Sequence, residues 1–364
     1  MKVLLISLLT LIGLAVCAQT TGNTETDNPL EFADLFSSGS NNEVACYRIP
    51  VIATAPNGDL IVAIDERVPS CGDLKWNNDI NIAVRRSEDN GKSWKAIEKI
   101  VDYPPGQSAS DPSIIVDKVT GEILLFFNYM DLLHERDVYY MKLMRSADNG
   151  KTWTSPEDIT TQITRPDWQT DFTFITSGCG IQTRNGKLLH TLVNLQKGLH
   201  IFASDNHGKS WYLMDTPIKP ADESKITELA DGSWMVNSRV NDLGYRFVHT
   251  SVDEGKTWRS RMDSTLIDPG CNASIIRYSS ANKGENENVL LFTNLKSKNV
   301  RENLTIRISF DEGENWSSGK TIYSGSSAYS SMTVLSDGDI GIFFERDDYQ
   351  KVTFVKLPLK WITQ

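Results

Sequence analysis

One eight-residue segment recurs along the chain and limits its fold more than any other feature. The first copy is Ser87-Glu88-Asp89-Asn90-Gly91-Lys92-Ser93-Trp94. Residues 146–153 and 251–258 repeat it, 309–316 are a near-copy, and 204–211 are degenerate, with Asn206 in place of the aspartate. Successive serines lie 59, 58, 47 and 58 residues apart. Self-similarity at such a period means units that stack or are arranged radially. The octet has the chemistry of a turn. The aspartate accepts backbone N–H groups across the bend, glycine takes the positive-φ position, and tryptophan folds back onto a sheet. Strand-like runs precede the octets at 80–84, 138–144, 199–203, 245–250 and 304–308. The octets lack the alternating oxygen ligands of a calcium loop.

A second repeat is interleaved with the first. Hairpin tips fall at Asn57-Gly58, Thr120-Gly121, Asn185-Gly186, Asp231-Gly232 and Asp337-Gly338, with a looser one at Lys283-Gly284. Helical periodicity is nearly absent. Six tips among short strands predict an all-β chain folded as a six-bladed β-propeller over residues 43–364. The sixth blade has no octet; a strand over 352–361 together with N-terminal chain is expected to close it.

The N-terminus reads differently. Lys2 and an apolar run over 3–17 have the length of a signal peptide, too short for a membrane span, with cleavage expected before Gln19. A lipid-anchored Cys17 is the alternative, although Val16 suits it poorly. Residues 19–42 read as a tether and first strand. The expected location is therefore secreted, periplasmic or cell-surface, and no other segment is apolar enough to span a membrane. A formal charge of −10 argues against nucleic acid or an acidic membrane as partner. Export permits disulfides. Cys46 and Cys71 are near register across the first hairpin and can bridge, while Cys179 and Cys271 read as buried thiols. The five histidines show no metal spacing, and no phosphate loop is present, so neither metal nor cofactor is expected.

If Asn57 and Gly58 form a two-residue tip, cross-strand partners sum to 115 and Arg48 faces Arg67. Two opposed arginines among Val, Ile and Ala suggest a pocket for an anion. The innermost strands of a propeller carry its site. Positions eight or nine residues before the tips are Arg48, Asp111, Ser177, Glu223 and Tyr329. Arg67, Arg239 and Glu345 follow the tips, and Arg301 follows the apolar strand 289–293 and a short loop. A lone tyrosine or glutamate on a strand is most often structural, and Trp168, Phe172 and Phe174 read as packing, so the weight rests on the set.

Tyr47-Arg48-Ile49-Pro50, followed by several Asp-containing octets, resembles the exo-α-sialidases (neuraminidases) of bacteria and animals, over roughly residues 44–360. The resemblance implies that Arg48, Arg239 and Arg301 clamp a sialic acid carboxylate. It implies Asp73 as acid/base, with Asp79 as competitor, Tyr329 as nucleophile and Glu223 as its partner. Glu345 would hold the first arginine, and Arg67 and Asp111 would lie near the sugar's O4. The implied activity is retaining hydrolysis of terminal sialic acids on glycoproteins, glycolipids or oligosaccharides, by a monomer. The alternatives are a trans-sialidase and an inactive glycan-binding propeller, which would be expected to lack Asp73, Tyr329 or Glu223. Ser177-Gly178-Cys179-Gly180 and Leu189-His190 depart from the family pattern where it handles the N-acetyl and glycerol arms.

Overall fold

The computed structural model describes residues 30–39, 44–281, 284–285 and 287–364. The leader at 1–18, with Cys17, and most of the tether lie outside these residues. Among the described residues the strands form six antiparallel meanders. The first runs Cys46–Thr54, Leu60–Arg67, Ile80–Ser87, Glu98–Val101, and the second begins at Gln107–Val116. The third is built on Leu188–Asn194, the fourth starts at Ser224–Glu228 and the fifth at Ser274–Ser279. The long strand Lys320–Val334 ends the fifth meander and begins the sixth. The sixth continues through Ile340–Arg346 and Lys351–Leu357 and is completed by Phe32–Ser37 from the N-terminal end. First strands of successive meanders touch in a closed cycle. No helix among the described residues is long and apolar enough to cross a membrane.

The expected closing strand over 352–361 stops at Leu357. Pro358 removes a backbone donor, and Leu359–Thr363 is a short helix that carries Trp361.

Four of the hairpin tips share one turn. Gly58 N–H donates to Ala55 O (2.9 Å) and Ala55 N–H to Asp59 O (2.8 Å), which leaves the three-residue loop Pro56-Asn57-Gly58. The same bonds recur at Thr183–Lys187, Leu229–Ser233 and Leu335–Asp339, each loop ending on a glycine with positive φ. This corrects the two-residue tip. Pro56 fixes the φ that a type I turn needs, and only the glycine then has to be left-handed. Thr54 consequently pairs with Leu60, one residue off the expected register. A bulge at Ile49-Pro50 shifts the register again, so Arg48 faces Asp65 and Arg67 faces Cys46. The expectation that Arg48 and Arg67 oppose each other is overturned. Cys46 is nonetheless bonded to Cys71, with Cα atoms 5.7 Å apart, and Cys179 and Cys271 are free.

The core is not central. Six apolar clusters lie one in each seam between neighbouring meanders. Val51, Ile61 and Ile82 of the first meander, for example, meet Ile114, Ile123 and Leu125 of the second. Each octet docks into the seam with the preceding meander. In the first copy, Asp89 Oδ1 accepts Ser93 N–H (2.8 Å) and Ser87 Oγ–H (2.8 Å), and Gly91 N–H donates to Ser87 Oγ (2.8 Å). In the degenerate copy Asn206 Oδ1 still accepts Ser210 N–H (3.0 Å), while its amide donates to Ser210 Oγ (2.8 Å). Trp94, Trp153, Trp211, Trp258 and Trp316 each join the cluster behind their own octet. The seam between the fifth and sixth meanders has no octet. There the continuous strand Lys320–Val334 joins the two sheets, and Trp361 of the terminal helix packs on the cluster.

Two glycines separate the turn from the seam. Both Gly186 (φ 88°) and Gly150 (φ 77°) are left-handed, but a Cβ on Gly186 would meet nothing within 4 Å while one on Gly150 would sit 2.5 Å from Ile61 Cδ1. Gly186→Ala should cost about 1–2 kcal/mol from backbone strain alone. Gly150→Ala should cost about 1–3 kcal/mol beyond that, from overpacking. Urea denaturation of both variants measures the difference.

Candidate active site

Glu345 organises one side of the site. It is fully buried, on the second strand of the sixth meander. Its Oε1 accepts Arg48 Nε–H (2.7 Å) and Ile49 N–H (2.8 Å), and its Oε2 accepts Tyr329 N–H (3.0 Å). Ile49 is held at φ 64°, an unfavourable conformation for a β-branched residue, and this bulge aims Arg48. A second bulge, between Ser327 and Ser330, aims Tyr329.

Asp65 does the same one meander on, and sequence reasoning missed it. It is fully buried; its Oδ2 accepts Arg67 Nη2–H (2.9 Å), Arg67 Nε–H (3.2 Å) and Ser110 Oγ–H (2.6 Å). Its Oδ1 accepts Asp111 N–H (2.9 Å), where Asp111 sits at φ 61° before Pro112. Asn128 repeats the device, with its Oδ1 taking Ile175 N–H (2.8 Å) and its amide donating to Asp111 Oδ2 (3.1 Å). Asp65, Asn128 and Glu345 each stand seven residues after a tip glycine (58 to 65, 121 to 128, 338 to 345). That offset was the available signal.

Three guanidiniums surround Tyr329. Those of Arg48 and Arg301 lie 5.7 and 5.6 Å from its ring centre, and Arg239 Nη1 donates to Tyr329 Oη (3.1 Å). Tyr329 Oη–H donates to Glu223 Oε2 (2.5 Å), which also accepts Arg239 Nη1–H (2.5 Å). Burial, and then the Glu223 charge, push the phenol well above its ordinary range, so it is neutral at neutral pH. Burial alone would weaken the Arg48 charge, but Glu345 more than compensates. Asn241 and Asp222 complete the Arg239 side: Asn241 Oδ1 accepts Arg239 Nε–H (2.7 Å), and Asn241 Nδ2–H donates to Asp222 Oδ2 (2.7 Å). Arg301 donates to Gly270 O (3.3 Å) and Tyr349 Oη (3.2 Å). Nothing in the sequence pattern marked Tyr349.

Asp73 lies on the other side of the mouth, with its side chain 62% exposed. Arg67 Nη1 donates to its Oδ1 (2.6 Å) and to Cys71 O (2.9 Å). Burial raises its pKa, but the Arg67 charge and hydrogen bond, with Arg48 and Arg301 behind them, bring it below the usual value. Asp79 faces Asp102 and Lys99 instead, away from the arginines. Asp111, beside Asp65, is pushed well up by burial and by that neighbouring charge. Lys225 stands near the Glu223 charge. It is buried against Gly178, donates to Asn272 Oδ1 (2.7 Å), and burial lowers it to about 7. Ser177 Oγ accepts from the amide of the same Asn272 (2.9 Å). Trp168 packs on His200 and under the Arg165 guanidinium, and Phe172 packs on Tyr139 and Phe174.

The structure thus gathers Arg48, Arg239, Arg301, Tyr329, Glu223 and Glu345 into one cluster. Arg67, Asp73 and Asp111 form a second around Asp65. Three guanidiniums around a neutral phenol suit a carboxylate-bearing substrate.

Comparison with known proteins points the same way. Residues 70–342 match the model of the BNR repeat-like domain. A sialidase of Micromonospora viridifaciens is 35% identical over 343 residues, 87% of this chain and 52% of that protein. A Bacteroides fragilis sialidase is 29% identical over 355 residues, 89% of this chain and 64% of that protein. The chain therefore spans between half and two thirds of the length of these relatives. Among solved structures, the Hadza microbial sialidase Hz136 superposes with a TM-score of 0.81 at 28% identity, covering 91% of this chain and 69% of that one.

Two outcomes follow from the geometry. Glu345→Ala strands Arg48 and two backbone donors in a buried site and should cost about 3–5 kcal/mol in urea denaturation. The Asp73 carboxyl should titrate below 3.8 in the unliganded protein, by carbon NMR. A lowered folded-state pKa stabilises above the unfolded value and loses that contribution as pH falls through the folded one. The stability advantage of wild type over Asp73→Asn should therefore shrink as pH drops below 3.8.

Proposed function

The chain belongs to the BNR-repeat sialidase family, and from that membership we propose that it is an exported, retaining exo-α-sialidase of sialylated glycoproteins, glycolipids or oligosaccharides. The six meanders would be the blades of one propeller, and the leader at 1–18 would route the protein to a secreted, periplasmic or cell-surface location. The observation that carries the reading is the 2.5 Å contact from Tyr329 Oη to Glu223 Oε2 inside an arginine cluster.

Sialic acid bears its carboxylate on the anomeric carbon. Arg48, Arg239 and Arg301 would receive it through charge-assisted bonds. The transition state is oxocarbenium-like and the departing oxygen needs a proton, which Asp73 would supply. Arg67 opposes protonation of Asp73 in the empty site. Substrate that covers the exposed carboxyl removes water and pushes its pKa back up. A carboxylate nucleophile would be repelled by the substrate's own carboxylate. Neutral Tyr329 avoids this: its oxygen bonds the anomeric carbon while its proton passes to Glu223. Water, deprotonated by Asp73, then attacks the sialyl-tyrosine, Tyr329 recovers its proton from Glu223, and the anomeric configuration is retained.

The test is release of a fluorescent aglycone from an α-sialoside, with a fluorinated sialoside to trap the intermediate. A label on Tyr329 and initially retained product are expected; a label elsewhere or inverted product would refute the mechanism. Tyr329→Phe should fold normally and lose most activity. Asp73→Asn should slow substrates with poor leaving groups by about 10²–10⁴ and activated aryl sialosides far less. Arg301→Ala should cost roughly 1.5–3 kcal/mol in kcat/KM. The product ratio with added lactose separates hydrolysis from transfer.

A further inference from the structure

The turn Asp347-Asp348-Tyr349 is the most contorted segment near the site. All three residues are left-handed, with φ 54°, 52° and 66°. Aspartate tolerates this conformation through local hydrogen bonds; a tyrosine there is unfavourable unless its surroundings enforce it. The surroundings do so from three directions. Ser326 O accepts Asp347 N–H (2.9 Å), and Gln350 N–H closes onto Asp347 O (3.0 Å). Ser326 Oγ donates to Asp348 Oδ1 (2.6 Å). From the N-terminal strand, Ser38 Oγ donates to Tyr349 O (2.9 Å) and Ser38 N–H to Gln350 O (2.8 Å).

The enforced conformation has one visible result. The Arg48 guanidinium stands over the Tyr349 ring, 3.9 Å from carbon to ring centre, while the Tyr349 hydroxyl accepts from Arg301 Nη1 (3.2 Å). A single side chain therefore touches two cations of the cluster. It offers its electron-rich face to one and a lone pair to the other, which offsets their repulsion without adding a negative charge. A carboxylate here would compete with the substrate's own. Glu345 holds only the Arg48 end, and the other hydrogen bond that Arg301 donates goes to the Gly270 carbonyl at 3.3 Å.

We propose that Tyr349 is a positioning residue that sets the spacing of Arg48 and Arg301 for one carboxylate, and that Ser38 at the end of the N-terminal strand locks it in place. This rests on the sialidase reading of the same cluster. The role predicts selective damage. Loss of the hydroxyl releases Arg301 while the ring still holds Arg48, so recognition of the carboxylate weakens and the reacting groups Tyr329, Glu223 and Asp73 keep their places.

The experiment uses the full chain and two probes, 2,3-dehydro-2-deoxy-N-acetylneuraminic acid and its methyl ester, with calorimetric affinities alongside KM and kcat on an aryl α-sialoside. Tyr349→Phe should bind the acid about threefold to tenfold more weakly, the worth of one hydrogen bond. It should bind the ester as wild type does, raise KM by a similar factor, and hold kcat within about twofold. Ser38→Ala should move the same quantities in the same direction by less. Equal weakening of acid and ester, a fall in kcat alone, or no change in acid affinity would overturn the positioning role. Thermal unfolding of Tyr349→Phe close to wild type keeps this outcome distinct from misfolding. A wild-type chain that neither binds the acid nor cleaves the sialoside would remove the functional reading, and this inference with it.

Discussion

A buried carboxylate that reaches from one meander to the bulged inner strand of the next is the contact on which the site depends. Glu345 serves two jobs with two oxygens. It joins the last meander to the first through Ile49, and it orients Arg48 and Tyr329 together. Closing the ring and building the centre are therefore one event. Asp65 and Asn128 repeat the device around the ring, and Ile49 and Asp111 are each held left-handed before a proline by the acceptor across the seam. Neither backbone conformation would persist alone; the receiving acceptor offsets its strain.

The division between seams and centre explains how an acidic protein carries a cluster of three arginines. Apolar burial is concentrated in the six seams, five of them closed at the flank by an octet and its tryptophan. The inner ends of the strands are left to polar groups. Charge there is balanced locally: Glu345 against Arg48, Glu223 against Arg239, Asp65 against Arg67. Arg301 differs. It has carbonyl and phenol partners and is the cation of the cluster whose neutralisation is left most open to an incoming anion.

Much of this was legible in the primary structure, for a physical reason. Octets and tips are local: the bonds that close each turn span only a few residues, so a short string of residues specifies them. Counting back from the tips then placed Arg48, Glu223 and Tyr329 at one end of the strands. Register was not legible. Pro56 lengthened the first tip, and the Ile49 bulge, held by Glu345 from 296 residues away, moved Arg48 opposite Asp65. Asp65 was hidden because an acid on a strand reads as a solvent-facing residue, although its offset from the tip matched that of Glu345. Tyr349 gave no signal, since its role depends on a turn geometry imposed by Ser38 and Ser326. The terminal helix was overlooked because Trp361 looks like the end of a strand until Pro358 is given its weight.

The pairing of Phe32–Ser37 with Lys351–Leu357 has a consequence for biosynthesis. A ribosome makes the first of these strands more than 300 residues before its partner, as Asp34 and Thr353 show, bonded across a separation of 319. Throughout elongation the early strand has no sheet to join, and the first meander lacks the neighbour that covers its outer seam. The growing chain can add meanders one by one, each octet clasping its predecessor, yet the last seam waits for Lys351–Leu357. Closure over such a distance is slow but adds little entropic cost beyond that of a shorter loop. A chain released early, short of Leu357, would keep five of its meanders and still present open edges at both ends. Closure is thereby built into the geometry: the native ring forms only when Phe32–Ser37 and Lys351–Leu357 both exist.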